Sequence, residues 1–264
     1  MGYIGGIFDM DLKMNLNESI FSIERQLRNY LGDRKAIVGL SGGIDSTVVA
    51  YLCVRALGKD NVIGVEMPYD TQSVEDSALV VKELGIKYIR KNIKTIVSQF
   101  PVVDAGIPHW GNDKLISGNI MARVRMTLLY AVASYYKGFV IGTTNKTEAK
   151  IGYYTKYGDG GVDLEPIADL YKTEVWEMAR ILGVPENLIT KVPSAGLWDN
   201  QTDEGDFGMT YAELDDILKC LGGNTDTYAE DECIRLYGEK NTTKVLEMIG
   251  NSEHKRHMPP AFMV

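Results

Sequence analysis

The segment Ser41-Gly42-Gly43-Ile44-Asp45-Ser46 carries the residue types of an anion-binding turn. It follows an apolar run, Ala36 to Leu40, and opens a helical pattern through Val48, Val49, Leu52, Cys53, Ala56 and Leu57. A helix N-terminus has backbone N–H groups without partners inside the helix, and its dipole favours negative charge. Glycine lets the backbone approach a phosphate because no Cβ intervenes. Ser41 and Ser46 add hydroxyls, whereas Asp45 repels an anion unless a cation lies between them. Together they point to a nucleotide phosphate with Mg²⁺. The competing reading is a purely structural turn in which Asp and Ser act as helix caps. No Gly-Lys-Ser/Thr follows and no G-x-G-x-x-G is present, so neither common phosphate fingerprint applies.

Elements must position this turn. Leu16 to Leu31 has an amphipathic helical pattern closed by Gly32, after a flexible start over residues 1–15. Val62 to Met67 and Phe139 to Ile141 are apolar strands, and Lys87 to Arg90 is a weaker one. Ser73 with Asp76 resembles a capping box opening a helix that ends near Gly85. A long helix is expected from Ser117 to Tyr136, and another from Tyr171 to Leu182. Thr210 with Glu213 marks a further helix start. Strands alternating with helices imply an α/β fold: a doubly wound parallel sheet with helices on both faces. The last third is helical, and residues 16–264 read as a single domain. Ligands bind beyond the carboxyl ends of such strands, which gathers residues 41–46, 67–72 and 142–148. Lys150 to Asp163 and Ser194 to Gly208 have the composition of mobile loops.

Composition excludes several classes. The 264 residues are 45% hydrophobic with a formal charge of −8, unlike a general nucleic-acid binder. No run approaches the roughly 20 apolar residues of a membrane span, and the start lacks a secretory pattern. Cys53, Cys220 and Cys233 form no C-x-x-C and show no pairing by spacing, so a reduced, cytoplasmic protein is expected. Lys172 falls at a helix start, where the dipole disfavours a cation; an anion bound there would reverse the sign.

The loop at 41–46 resembles the S-G-G-x-D-S loop of the N-type ATP pyrophosphatases. Further motifs are similar to the ammonia-dependent NAD synthetases within that superfamily: Gly118-Asn119 with Ala122-Arg123 and Arg125, Gly142-Thr143, Glu148, Thr155-Lys156-Tyr157-Gly158-Asp159-Gly160-Gly161, Lys172, and Glu253-His254-Lys255-Arg256. The resemblance implies an adenine nucleotide alpha hydrolase-like fold. It also implies ATP-dependent amidation of deamido-NAD by ammonia through an acyl adenylate, giving NAD, AMP and pyrophosphate. It assigns Gly39, Leu40, Ser41, Gly42, Gly43, Ile44, Asp45, Ser46, Met67, Gln72, Thr143, Lys172 and Ser194 to ATP. Arg123, Lys156, Asp163, His254 and Lys255 would contact deamido-NAD, and Asp45 and Glu148 would hold Mg²⁺. Asp45, Lys172 and Asp159 would be catalytic, Asp159 by helping to deprotonate ammonia.

The resemblance further implies a homodimer, with no nucleic-acid or membrane partner. Only about 35 residues precede the first strand, too few for the glutamine-hydrolysing domain of larger relatives; free ammonia, or ammonia from a separate protein, is therefore the expected nitrogen source. GMP synthetase-like amination, tRNA thiolation and a non-catalytic nucleotide-binding module stand as alternatives.

Overall fold

A computed structural model describes residues 4–70, 72, 74–100, 114–194, 196, 201–222 and 227–262. Four short strands form a parallel sheet: β1 (Lys35–Gly39), β2 (Val62–Glu66), β3 (Lys87–Arg90) and β4 (Gly138–Ile141), in the order β3-β2-β1-β4. The helices are α1 (Ile4–Leu31), α2 (Ile44–Leu57), α3 (Glu75–Leu84), α4 (Lys94–Val97), α5 (Lys114–Tyr136), α6 (Lys146–Ile151), α7 (Lys172–Leu182), α8 (Glu186–Ile189), α9 (Asp203–Phe207), α10 (Tyr211–Cys220), α11 (Thr227–Tyr237) and α12 (Glu239–Arg256).

Alternation along β1 explains the layering. Ala36 and Val38 pack in a core with α1, α2 and α7, whereas Ile37 joins a second core with Met121, Val124 and Ala133 of α5. Side chains alternate across a strand, so a strand apolar at every position must be covered on both faces. The expected double winding is what the chain adopts. A third core, from Phe207, Tyr211, Leu214, Ile217 and Val245, makes the C-terminal part helical.

The order of strands sets where a ligand goes. From β1 the chain moves outward to β2 and β3, then returns to place β4 on the other flank. The reversal lies between β1 and β4, and a crevice opens there at the strands' carboxyl ends. The turns 40–43 and 142–145 meet at that crevice.

Several local expectations are corrected. Helix α1 begins at Ile4, twelve residues before the start read from periodicity, so residues 4–15 are helical. The glycines there lower propensity without forbidding helix. Ser73 lies outside the described residues, and the residue before α3 is Val74, with no side-chain cap. Thr210 does cap α10 by accepting from the Glu213 N–H, but the Glu213 carboxylate accepts from Asn241 instead of reaching back. The segment at 194–208 contains α9, capped by Thr202. Cys220 and Cys233 are joined in a disulfide with Cα atoms 5.9 Å apart, contrary to the reduced state expected. Their spacing carries no signal, because α10 and α11 bring them together only on packing. Cys53 is buried in the core, as its place on the helix implied.

Candidate active site

The glycine turn is built as its residues suggested. Gly39 ends β1, and Leu40 continues the ladder through its N–H to the Val65 carbonyl at 2.8 Å. Gly42 has φ +77°, and a Cβ there would also stand 3.2 Å from Asp76 Cβ. The positive φ favours glycine, and the close approach adds to that preference. Ser41 Oγ accepts from the Gly43 N–H at 3.2 Å and lies 3.1 Å from Ser46 Oγ, which donates to the Gly43 carbonyl at 3.0 Å. Helix α2 starts at Ile44, so Asp45 and Ser46 sit in its first turn.

Across the crevice, Asn145 caps α6. Its side chain accepts from the Glu148 N–H at 2.9 Å, and the Glu148 carboxylate accepts from the Asn145 N–H at 3.2 Å. This capping box does a second job, because Asn145 Nδ2 also donates to Asp45 Oδ1 at 2.9 Å. Lys172 completes the cluster: its Nζ is 2.5 Å from Asp45 Oδ2 and 3.7 Å from Glu148 Oε1, and the residue is 2% exposed. Burial works against the lysine's charge, but Asp45 and Glu148, with Asp203 beyond them, outweigh it and hold the ammonium above its ordinary range. Burial first, and then Asp45, push Glu148 well above the carboxylate range, while Lys172 pulls it back. A single ammonium thus sits between two carboxylates, Asp45 and Glu148, that lie far apart in sequence. Two carboxylates, as hard oxygen donors, are also the ligand type that a divalent cation takes. Among the described residues no group of three or more acidic, His or Cys side chains is placed to hold a metal by itself.

The start of α7 differs from the expectation of a bound anion. Asp215 accepts from the Thr173 N–H at 2.9 Å, and Thr147 Oγ1 accepts from the Lys172 N–H at 3.0 Å. The protein supplies its own negative charge to that helix end, and Asp45 and Glu148 supply it to the side chain.

The remaining candidates fall into two groups around this centre. On the β2 side, Met67 is buried at the strand end and its carbonyl accepts from Arg125 Nε at 3.1 Å. Gln72 ties three segments: it accepts from the Tyr69 N–H at 2.8 Å and from Arg125 at 3.2 Å, and donates to the Gly196 carbonyl at 2.5 Å. Ser194 Oγ accepts from the Gly196 N–H at 3.1 Å, so it stands at the edge of the same cleft. Thr143 lies half-buried in the turn after β4.

On the other side, Lys156 donates to the His254 carbonyl, and Lys255 Nζ donates to the Gly152 and Tyr154 carbonyls, each at 2.7 Å. The tail of α12 is thereby fastened to the turn at 152–161. Arg123 donates to the Lys156 carbonyl at 3.3 Å. Asp159 lies on an exposed turn, but its carboxylate accepts from the Thr155 N–H at 3.1 and 3.3 Å, and burial of that end raises its proton affinity. Asp163 is used differently from the expectation: its two oxygens accept from Tyr130 at 3.2 Å and from the Val140 N–H at 2.7 Å, tying α5 to β4.

Sequence reading passed over Asn145, Glu165, Lys191 and Asp203. Lys191 Nζ lies 2.5 Å from Asp76 and 3.4 Å from the Gly42 carbonyl, beside the glycine turn. Only Asn145 had a usable local signal, an Asn three residues before Glu148 at a helix start.

A phosphate-type turn facing a buried lysine at the switch point of a parallel sheet defines an α/β nucleotide-binding protein. Comparison with known proteins narrows the class. The family described as NAD synthase matches residues 16–259, and the chain belongs to that family. It is 48% identical over 232 residues to an NH(3)-dependent NAD(+) synthetase of Methanosarcina acetivorans, covering 85% of this chain and 88% of that protein. It is 45% identical over 225 residues to the protein of the same name from Pyrococcus furiosus, covering 84% and 86%. Among solved structures it resembles an NMN synthetase from Francisella tularensis (TM-score 0.79, 32% identity, 95% and 98% coverage). It is also similar to an NH3-dependent NAD synthetase from Campylobacter jejuni in complex with the nitrate ion (TM-score 0.76, 29% identity, 96% and 99% coverage).

Proposed function

We propose that the chain is an ammonia-dependent NAD synthetase, a ligase that amidates deamido-NAD at the expense of ATP. The observation that carries the reading is the Lys172 ammonium held between Asp45 and Glu148 beside the glycine turn. Phosphoryl-type chemistry needs alignment and charge neutralisation more than covalent catalysis, and this cluster is made of charge.

Residues 39–46 receive the phosphates that depart as pyrophosphate, using the first-turn N–H groups of α2 and the Ser41 and Ser46 hydroxyls. Met67 and Gln72 border the adenine, Ser194 closes that edge, and Thr143 faces the ribose and α-phosphate from β4. Lys172 stays charged because two carboxylates hold it so, and it neutralises the α-phosphate as the nicotinate carboxylate attacks. Asp45 and Glu148 hold Mg²⁺, which when bound offsets the charge of the leaving pyrophosphate. Arg123, Lys156, His254 and Lys255 line the side from which deamido-NAD enters, and Asp163 braces it. Asp159 lies toward ammonia.

The support for Mg²⁺ is that Asp45 and Glu148 bring two carboxylates to one place beside the glycine turn. The support for a homodimer is that α5 leaves Leu115 and Tyr135 exposed. A cytoplasmic location accords with the finding that no described helix is long and apolar enough to cross a membrane. A disulfide is unusual there, except in hyperthermophiles.

Protein supplied with deamido-NAD, ATP, Mg²⁺ and an ammonium salt is expected to release AMP and NAD in equal amounts. No NAD under those conditions would refute the reading. A second substrate is raised by the resemblance to an NMN synthetase. Nicotinate mononucleotide offered in place of deamido-NAD decides between them: a higher kcat/KM for the mononucleotide would replace the dinucleotide in this assignment.

A further inference from the structure

Amidation needs a nitrogen with a free lone pair, and an ammonium ion has none. A proton must therefore be removed inside the site before the carbon–nitrogen bond can form. Asp159 is poorly placed to act alone, since both its oxygens accept from the Thr155 N–H and the cations Lys255 and Arg125 bear on it. Glu165 accepts from Thr144, and no cation is among the groups that bear on it.

Residues 163–165 run beside β4: the Asp163 N–H donates to the Val140 carbonyl at 3.0 Å, and the Gly142 N–H donates to the Leu164 carbonyl at 2.8 Å. This register carries Glu165 to the ligand end of the sheet, level with the turn that holds Thr143. Its Oε2 accepts from the Thr144 N–H at 3.1 Å. A Cβ on Gly142 would collide with the Glu165 carboxylate, so that glycine makes room for it. The charged group that bears on Glu165 is Asp159, also negative, and Tyr154 lies near both. Two carboxylates that bear on one another favour a small cation near them, and ammonium is the cation that the proposed reaction consumes.

We propose that Glu165 is the general base of the amidation step, taking a proton from ammonium with Asp159 as its partner. The inference rests on the amidation assigned above and adds a residue to it. One N–H bond of ammonium breaks, and its proton goes to a Glu165 oxygen. The freed lone pair forms the C–N bond at the acyl carbon of the adenylate, and the carbonyl electrons move onto oxygen. Collapse breaks the C–O bond to AMP, which departs with that electron pair. The surplus proton on the new nitrogen goes to Asp159. Both carboxylic acids then return their protons to water.

Burial pushes the Glu165 carboxyl up to about 8. A base is most effective when its proton affinity lies near the working pH.

The test is Glu165→Gln, which keeps an oxygen for the Thr144 N–H and loses only the base. Three rates are measured near neutral pH: NAD formation with ammonium, ATP–pyrophosphate exchange without it, and acyl transfer to hydroxylamine. Hydroxylamine is largely a neutral amine there and needs no base to free its lone pair. The expected result is a fall of about 100-fold or more with ammonium, the usual worth of a general base. Exchange and hydroxylamine transfer should stay within about twofold of the parent, since adenylation and the ready-made nucleophile bypass the base. Ammonium-dependent activity equal to the parent's would overturn the assignment. So would an equal loss in all three rates, which would make Glu165 a support for the 142–145 turn alone. A parent that exchanges pyrophosphate but makes no NAD would defeat the amidation reading itself, a result visible before any variant is compared.

Discussion

Lys172→Met removes the one cation between two enclosed carboxylates while keeping most of the side-chain volume. In the parent, Lys172 is 2% exposed, and the Asp45 and Glu148 side chains are 16% and 15% exposed. Removing one partner from a buried ion pair costs about 3–5 kcal/mol, because the remaining charge is left without compensation. In a chain of this size that corresponds to a fall in Tm of about 6–20 °C. Part of the loss is recoverable, because Glu148 can take up a proton and a divalent cation can replace the ammonium. Thermal unfolding should therefore be followed with Mg²⁺ and with EDTA. The variant is expected to gain more from Mg²⁺ than the parent does, since the metal meets two carboxylates with no lysine competing. Activity should fall by about 100-fold or more whatever the metal, as for loss of a preorganised charge in an active site. A variant within about 1 kcal/mol of the parent in EDTA would refute the claim that this pair is buried and coupled. An equal Mg²⁺ response in both proteins would refute the two-carboxylate metal site.

Three further outcomes follow from single features. Glu165→Gln should flatten the fall of stability with rising pH: the unfolded carboxyl releases its proton near 4.5 and the folded one near 8. Between those values the unfolded state binds fewer protons, so the parent loses stability as pH rises and the variant loses less. Urea unfolding at intervals between the two values checks this, and parallel curves would contradict it. Gly42→Ala should destabilise by about 1 kcal/mol or more, because φ is +77° and the new Cβ meets Asp76; it should weaken ATP binding measured by calorimetry, and unchanged affinity would argue against the turn as a phosphate site. Cys220→Ser should lower stability under oxidising conditions by about 3 kcal/mol, the scale for a loop near this size, and should abolish the parent's sensitivity to reductant. A parent indifferent to reductant would show that the bond contributes nothing.

Short-range features were readable from the chain alone. The apolar run into Gly42-Gly43, the four strands and helix α7 each depend on residues a few positions apart, so propensity and spacing carry them. The doubly wound parallel sheet was legible too, because a strand apolar at every position must be covered on both faces; the order of its strands was not. Helix α1 was underread because glycines at 5 and 6 lower local propensity, which does not decide whether a helix forms once it is continuous with a packed one.

The residues that could do chemistry were determined by sequence as types: Asp45 at a helix start, Lys172 at another, Glu148 after a strand. What they do to one another was decided by tertiary structure. Lys172 meets Asp45 across 127 residues, and Asn145 meets it across 100. No periodicity encodes such a meeting; it arises because β1 and β4 are neighbours and their carboxyl ends open to one crevice. The same holds for Asp163, whose oxygens were drawn into bracing β4, and for Cys220 with Cys233, joined only once α10 and α11 pack. Glu165 has an unremarkable neighbourhood in sequence. Its proximity to Gly142 and Asp159 comes from a segment laid beside β4, and its raised proton affinity comes from burial, a property that only the folded chain possesses.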